Sequence, residues 1–140
     1  MAIIRIGRNP GSPGADGAVR TRSAPIVCRD GVARIVATAA KPYDPAASAE
    51  EQARSALALV DERLALAGSD KSRITIVQVL ISDMRHFAGL NAAWDAWVDQ
   101  DNPPCRYCCE ARLGHPDLKV ELVVEAECDM AVAARNATAT

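Results

Sequence analysis

Two periods of apolar residues run along the chain, and each predicts a different kind of element. Residues 48–68 carry apolar side chains at helical spacing, which predicts an amphipathic helix with one side toward a core. Ser48 followed by Glu51 is the capping-box pattern of a helix start, and Gly68 stands where a left-handed C-cap is expected. This segment is therefore the clearest predicted helix.

Short β-rich segments account for most of the remaining apolar pattern. Residues 23–40 hold two such runs joined by Asp30-Gly31, a hairpin signal because glycine tolerates a positive φ. Residues 73–82 are β-branched and apolar on both faces, which predicts a central strand covered on both sides. The last two predicted strands are residues 105–113 and 118–128.

Residues 83–100 repeat the helical spacing and complete the predicted order of elements, with Asp83 as the expected N-cap. The order is β-β-α-β-α-β-β, and residues 2–6 add a candidate edge strand. This order predicts an α+β fold with two helices packed on one face of a mixed sheet. We expect residues 1–22 to form an N-terminal strand and a mobile Gly/Pro-rich loop over 9–22. The domain proper is predicted at 23–128, and 129–140 as a flexible C-terminal tail.

One sheet face in such a subunit has no helix to cover it, which gives a physical reason to expect an oligomer. The strands expected to need burial on more than one side are the one that carries Val77 and Val79 and the one that carries Leu122 and Val124.

Composition narrows the classes of function. The 140 residues carry a net charge of −2 and only 4% aromatics, which argues against a nucleic-acid surface of clustered cations and stacking rings. No apolar stretch approaches the roughly 20 residues of a membrane-spanning helix, and no signal-peptide pattern opens the chain, so a cytoplasmic location is expected. The odd number of cysteines, five, favours free thiols.

The segment "PCRYCCEARL" at 104–113 combines thiols with one arginine. Cys105 and Cys108 have C-x-x-C spacing, but alternation along a strand puts them on opposite faces, so we expect no joint metal site. Arg106, Cys108 and Glu110 share the other face. The guanidinium of Arg106 could belong to a salt bridge, or it could present a donor fork to a carboxylate ligand. Periodicity leaves both interpretations open.

Three motifs together give the chain a resemblance to a known family over roughly residues 22–128. They are the helix pattern D-M-x-x-F-x-x-L-N-x-x-W, the strand start P-x-R-x-C, and the K-V-E of the last strand. The chain resembles the RidA/YjgF family of reactive-intermediate deaminases. The resemblance implies a chorismate-mutase-like fold, a homotrimer with sites between subunits, and hydrolysis of enamines and imines to 2-keto acids and ammonia without a cofactor.

The resemblance also implies roles for individual residues. Arg106 would bind the substrate carboxylate, and Glu121 would position the attacking water. Asn91 and Cys108 match further pocket positions of the family. For each of these, a purely structural role as buried amide, solvated carboxylate or core thiol stays open at this point.

Other positions depart from the family pattern and predict a pocket of different shape. The family's tyrosine before the first hairpin is replaced within "SAPIVC" at 23–28, and the usual S-G-Q is Thr38-Ala39-Ala40. Thr38 keeps a hydroxyl, and Trp94 stands where the family often has tyrosine. Two alternatives to a deaminase therefore remain. One is a non-catalytic trimer that binds a small carboxylate, and the other is a thiol-based redox sensor or chaperone that uses Cys105, Cys108 and Cys109.

Overall fold

The computed structural model describes residues 2–139, and the side chains of residues 2–137. Two short 3-10 turns, Lys71–Arg73 and Met84–His86, accompany the main elements. The strands are β1 (Ile3–Ile6), β2 (Asn9–Pro10), β3 (Thr21–Ser23), β4 (Ile26–Arg29), β5 (Val32–Thr38), β6 (Ile74–Ile81), β7 (Cys105–Glu110) and β8 (Val120–Glu127). The helices are α1 (Ala49–Leu66), α2 (Phe87–Trp97) and α3 (Met130–Ala139).

Six of the strands form one mixed sheet in the order β1-β4-β5-β8-β6-β7. All neighbours are antiparallel except β6 and β7, which are parallel and are connected through α2. A parallel pair needs a crossover of this kind, whereas β4 and β5 need only the tight turn at Asp30-Gly31. The predicted α+β class, the hairpin and the candidate edge strand at 2–6 are confirmed.

The first helix begins and ends where its sequence predicts. The Ser48 hydroxyl accepts a hydrogen bond from the Glu51 N–H at 3.1 Å, so one of the unpaired donors of the first turn is satisfied. At the other end Gly68 has φ of +70°, and a Cβ there would lie 2.8 Å from the Cβ of Asp129. Glycine is therefore required for conformation and for the close approach of the α3 segment.

The second helix is shorter than the predicted 83–100. Asp83 is an N-cap as expected, but its side chain caps the 3-10 turn, accepting from Arg85 N–H at 2.8 Å, and α2 starts only at Phe87. After Trp97 the chain extends, because the Asp99 carboxylate accepts backbone N–H bonds from residues two and three positions later. Such an Asx turn competes with continued helix.

The prediction that residues 9–22 form only a loop is wrong in part, because both ends of this segment are paired strands. Asn9–Pro10 and Thr21–Ser23 pair as a two-stranded antiparallel ribbon. The Gly11 N–H donates to the Arg20 carbonyl at 2.8 Å and continues the pairing beyond the ribbon. The Gly/Pro-rich tip therefore spans only the residues between these paired ends.

The predicted flexible tail is wrong in its secondary structure, since residues 130–139 form α3. The Asp129 carboxylate accepts hydrogen bonds from the N–H groups of residues 131 and 132, which starts the helix. Ala133 is fully buried in the core, and Met130 and Ala137 pack against it. None of the described helices is long and apolar enough to cross a membrane.

The sheet has a helix-covered face and an open face. Val77, Val79, Leu122 and Val124 are at most 1% exposed and lie on the helix-covered face. The open face carries instead the alternate residues of each strand. Four of the six large hydrophobic side chains that are exposed in the described residues lie on it, namely Ile3, Val32, Val36 and Tyr107.

Candidate functional site

Arg106 lies on β7, at the edge of the sheet and beside α2. The parallel register pairs it with Val77, and Cys108 with Val79, so both side chains point to the helix-covered face. Cys105, Tyr107 and Cys109 alternate with them and point to the open face. The predicted separation of Cys105 from Cys108 by strand alternation is confirmed, and the described residues contain no His/Cys/Asp/Glu group arranged to hold a metal.

The guanidinium of Arg106 is held by side chains of the second helix. Its Nη1 donates to Asn91 Oδ1 at 2.8 Å, and its Cζ lies 5.1 Å from the ring centroid of Trp94 and 5.9 Å from that of Phe87. An aromatic face attracts a cation, and an amide oxygen fixes the direction of one nitrogen. We call Arg106, Asn91, Trp94 and Phe87 the arginine cluster.

The charge of Arg106 has no carboxylate partner among residues 2–137. Asn91 is neutral, and it occupies only one nitrogen of the fork. The side chain is half-buried, so its positive charge is held in place at the surface with donors left over. This arrangement suits an anionic ligand that arrives from outside, because a charge-assisted fork favours a carboxylate.

Cys108 lies two residues along the same face and is half-buried against the core. Burial raises the pKa of this thiol, and the nearby Arg106, which acts to lower it, is the smaller influence. A thiol with a raised pKa is protonated at neutral pH and is a poor nucleophile. Cys108 is therefore better explained as an uncharged side chain that lines the site beside Arg106 than as a reactive thiol.

Glu121 lies on β8, on the open face. It is paired in register with Thr38 of β5 and with Leu80 of β6. Its carboxyl group is half-buried, and burial raises its pKa above the ordinary value. A carboxyl group shifted in this way holds its proton more readily and is a stronger base when ionised.

A cavity of about 600 Å³ opens in front of Glu121, lined also by Thr38 and Tyr43. The hydroxyl oxygens of Thr38 and Tyr43 are 3.4 Å apart. We call Glu121, Thr38 and Tyr43 the glutamate pocket. Tyr43 was not predicted from the sequence, because the family pattern places the tyrosine of the site before the first hairpin. A tyrosine placed just beyond the end of the strand that carries Thr38 was the available signal.

The six predicted site residues fall into two groups that one chain does not bring together. Arg106, Asn91, Trp94 and Cys108 are on the helix-covered side, whereas Glu121 and Thr38 are on the open face. In addition β6 lies between β7 and β8, which separates their backbones by about 10 Å at ordinary strand spacing. Each group is a partial site within the single chain.

Comparisons with known proteins agree on the family. The model of the family described as Endoribonuclease L-PSP matches residues 31–128. A RutC family protein of Haemophilus influenzae is 47% identical over 81 residues, which is 58% of this chain and 70% of the relative. The RutC family protein YoaB of Escherichia coli is 39% identical over 85 residues, which is 61% of this chain and 75% of the relative.

A solved structure extends the likeness to almost the whole chain. A member of the YjgF protein family from Neisseria meningitidis is 30% identical and has a TM-score of 0.77, covering 92% of this chain and 97% of that one. The predicted family and α+β fold are thereby confirmed. The chain belongs to the Endoribonuclease L-PSP family, also known as the RidA/YjgF family.

Proposed function

We propose that this protein is a hydrolytic deaminase of reactive enamines and imines, which it converts to 2-keto acids and ammonia. The observation that carries the proposal is the guanidinium of Arg106, which is positioned by Asn91 and Trp94 and lacks a carboxylate partner in the described chain. A 2-imino acid supplies the missing carboxylate. The arginine cluster then fixes the substrate by its acid end and leaves the imine carbon facing outward.

The glutamate pocket supplies the second part of the reaction. The ionised carboxylate of Glu121 accepts a hydrogen bond from a water molecule and directs its oxygen at C2 of the imine. A C–O bond forms at C2 and one proton of the water passes to the nitrogen, which gives a carbinolamine. The proton of its hydroxyl group then moves to the nitrogen, and the C–N bond breaks as the C=O bond of the 2-keto acid forms, so ammonia leaves. Imines of this kind hydrolyse in water already, so orientation and placement of charge are the main contributions required.

The reaction needs both groups at one place, and for this reason we propose a homotrimer with three sites between subunits. The arginine cluster of one subunit would face the glutamate pocket of the next. The exposed apolar side chains of the open face, among them Val32, Val36 and Tyr107, support burial of this face against other copies. A head-to-tail contact that closes after three copies joins different surfaces, as these two half-sites require.

The experiment is an imine-trapping assay. An amino-acid oxidase generates 2-imino acids from a panel of amino acids, and semicarbazide traps them in competition with hydrolysis. We expect the protein to suppress semicarbazone formation for at least one imine. Arg106→Gln should lower kcat/KM about 100-fold or more, because it removes a charge-assisted fork from the carboxylate.

Two control variants make the result specific. Arg106→Lys keeps the positive charge but loses the planar fork, so it should be nearly as defective as the glutamine variant. Arg85→Gln removes a guanidinium that is highly exposed and paired with Asp83, so it should leave activity unchanged. Trapping that is unaffected by the wild-type protein across the whole panel would end the deaminase proposal.

A non-catalytic binder of small carboxylates is the second candidate. The observation that favours it is that the arginine cluster is complete within one chain, whereas Glu121 is not near it. Thermal-shift measurements with 2-keto acids test this candidate, since a ligand at 100 times its Kd stabilises a protein by about 2.7 kcal/mol. Saturable binding that depends on Arg106, without any turnover, would favour the binder. The raised pKa of Cys108 gives no support to a thiol-based function.

A further inference from the structure

Three further arginines lie together near the N-terminal end of the chain. They belong neither to the arginine cluster nor to the glutamate pocket. Arg5 lies within β1, Arg8 comes just after that strand, and Arg22 lies in β3. All three line one cavity of about 390 Å³, together with the residues Thr21 and Ser23. We call this the N-terminal arginine pocket. Its volume is in the range of small-ligand sites.

The pocket concentrates positive charge in a protein that is acidic as a whole. The first 40 residues carry six arginines and two aspartates, a net charge of +4, whereas the other 100 carry ten basic and sixteen acidic side chains, a net charge of −6. No acidic side chain among the described residues lines the pocket. Asp16, an acidic residue of the same segment, is paired with Arg20 at 2.8 Å.

Local backbone geometry places Arg22 in this pocket. Asn9 pairs with Ser23 and Pro10 pairs with Thr21, which leaves Arg22 as the extra residue of a β-bulge. A bulge redirects the side chain of its extra residue and is a persistent feature of a fold rather than a defect. The guanidinium of Arg22 lies over the backbone of Gly11, with Nη2 3.1 Å from where a Cβ would be.

The hydroxyl groups of the pocket suit an oxyanion. Asn9 Nδ2 donates to Ser23 Oγ at 3.0 Å, so the serine oxygen already accepts one hydrogen bond and its proton is available to an acceptor. Three guanidinium groups and hydroxyl donors match the several oxygens and the multiple charge of a phosphate group. The lining contains no aromatic ring on which a nucleobase could stack.

We propose that the N-terminal arginine pocket binds a small phosphate-class anion, either inorganic or as part of a phosphorylated metabolite. Three like charges around one cavity repel each other, and a multiply charged anion removes that repulsion. The site does not use Arg106 or Glu121. Arg22 and Ser23 also line the cavity in front of Glu121, whereas Arg5 and Arg8 do not, so Arg8→Gln is the variant that separates this site from the deaminase proposal. It also gives a role to the segment between residues 9 and 22.

Calorimetric titration of the full chain with inorganic pyrophosphate, a sugar phosphate and citrate tests the proposal. We expect saturable binding of at least one phosphate, weakened as salt concentration rises. Arg8→Gln and Arg22→Gln should each raise Kd about 10-fold or more, since each removes a charge-assisted contact. These two positions are chosen because they lie outside the six-stranded sheet, and unchanged melting temperatures without ligand would verify folding.

Arg20→Gln is the matched control, since Arg20 is an exposed arginine of the same segment that is already paired with Asp16. It should leave Kd unchanged. Absence of saturable phosphate binding, or equal losses in all three variants, would overturn the site. Tighter binding of citrate than of either phosphate, or of an RNA oligonucleotide than of pyrophosphate, would overturn the assignment to a small phosphate-class anion.

Discussion

The arginine cluster and the glutamate pocket carry opposite charges, and they are built in different ways. Arg106 is fixed by contacts from one helix, with an amide 2.8 Å from its Nη1 and an indole 5.1 Å from its Cζ. Glu121 has no such support. It lies in a cavity of about 600 Å³ whose lining also includes Leu59 and Arg63 of α1, and burial raises its pKa. The guanidinium of Arg106 is fixed within the chain, whereas no hydrogen bond from a described side chain fixes the half-buried carboxyl group of Glu121.

This difference indicates how a cation and an anion can be kept apart in the subunit and still serve one reaction. Within a chain they would neutralise each other if they were close, because a paired arginine no longer attracts a substrate carboxylate. The sheet separates them, since Arg106 points to one face and Glu121 to the other. Bringing two subunits together is the step that would place substrate between them.

The largest expected effect comes from removing the carboxylate of Glu121. This substitution tests whether the glutamate pocket supplies the catalytic base. Glu121→Gln keeps the shape of the side chain and one acceptor oxygen but cannot act as a base. We expect kcat to fall about 100-fold while binding of a 2-keto acid is retained, since general-base contributions are about 100-fold to 10,000-fold. Imine-trapping kinetics and keto-acid titration measure the two quantities separately. A loss of binding equal to the loss of kcat would contradict this division of roles.

The same substitution has a pH-dependent effect on stability. The pKa of Glu121 is raised in the folded protein, so its favourable contribution is fully present below the ordinary glutamate pKa and is lost as pH rises through the raised value. Glu121→Gln should therefore gain stability relative to wild type as pH increases from about 4 to about 7. Urea unfolding at several pH values measures this. A variant that instead loses stability relative to wild type as pH rises would contradict the assigned shift.

Complementation between two inactive variants tests whether the half-sites meet across subunits. Arg106→Gln and Glu121→Gln are each expected to be inactive alone. After unfolding and refolding as a 1:1 mixture, random assembly leaves both groups intact at about a quarter of the interfaces, so about a quarter of wild-type activity should return. Imine trapping on the mixture and on each variant alone measures it.

Mixing native variants without refolding is the control, because subunits that do not exchange should give no recovery. Analytical ultracentrifugation should report the same trimer mass for the refolded mixture and for wild type. If activity is restored by neither route while the trimer forms normally, the two half-sites do not complete each other.

Much of the fold was predictable because local signals and global packing agree. The Ser48 cap, Gly68 and the Asp30-Gly31 turn are encoded within a few residues, and each is found as expected. The α3 helix was missed because its stripe is made mostly of alanine. Met130, Ala133 and Ala137 recur at helical spacing, but alanine gives a weak hydrophobic signal.

The site was predictable only in part, for a reason specific to strands. Alternation placed Arg106 with Cys108 and apart from Cys105, as the register confirms. It could not tell which face the helices cover, because β6 reads as apolar on both sides. The separation of Arg106 from Glu121 depends on that choice, so it became visible only in the assembled sheet.

Asn91 tests how far the arginine cluster depends on its support. Asn91→Ala should raise KM about 10-fold with a smaller change in kcat, because the guanidinium loses the hydrogen bond that orients it. Asn91→Asp is the informative companion. Its carboxylate would pair with Arg106 and compete with the substrate, so KM should rise further although the side chain has the same size. Equal KM values in both variants would indicate that Asn91 is only a packing residue.

Removal of the Tyr43 hydroxyl should have the smallest effect on kcat. This hydroxyl lies in the glutamate pocket, but no described contact joins it to Glu121. The oxygen is 3.4 Å from the Thr38 hydroxyl, a distance at the limit of hydrogen bonding. Tyr43→Phe should lower kcat about 3-fold if this hydroxyl helps to orient the attacking water, which is a modest share of a positioning effect. The ring remains and continues to contact His115, with centroids 5.1 Å apart, so the melting temperature should not change.

Thr38→Val removes the other hydroxyl at nearly constant volume. If the double variant loses no more activity than either single variant, the two hydroxyls act on the same water. Full activity in all three would remove both hydroxyls from the reaction and leave Glu121 as the polar group that acts in this pocket.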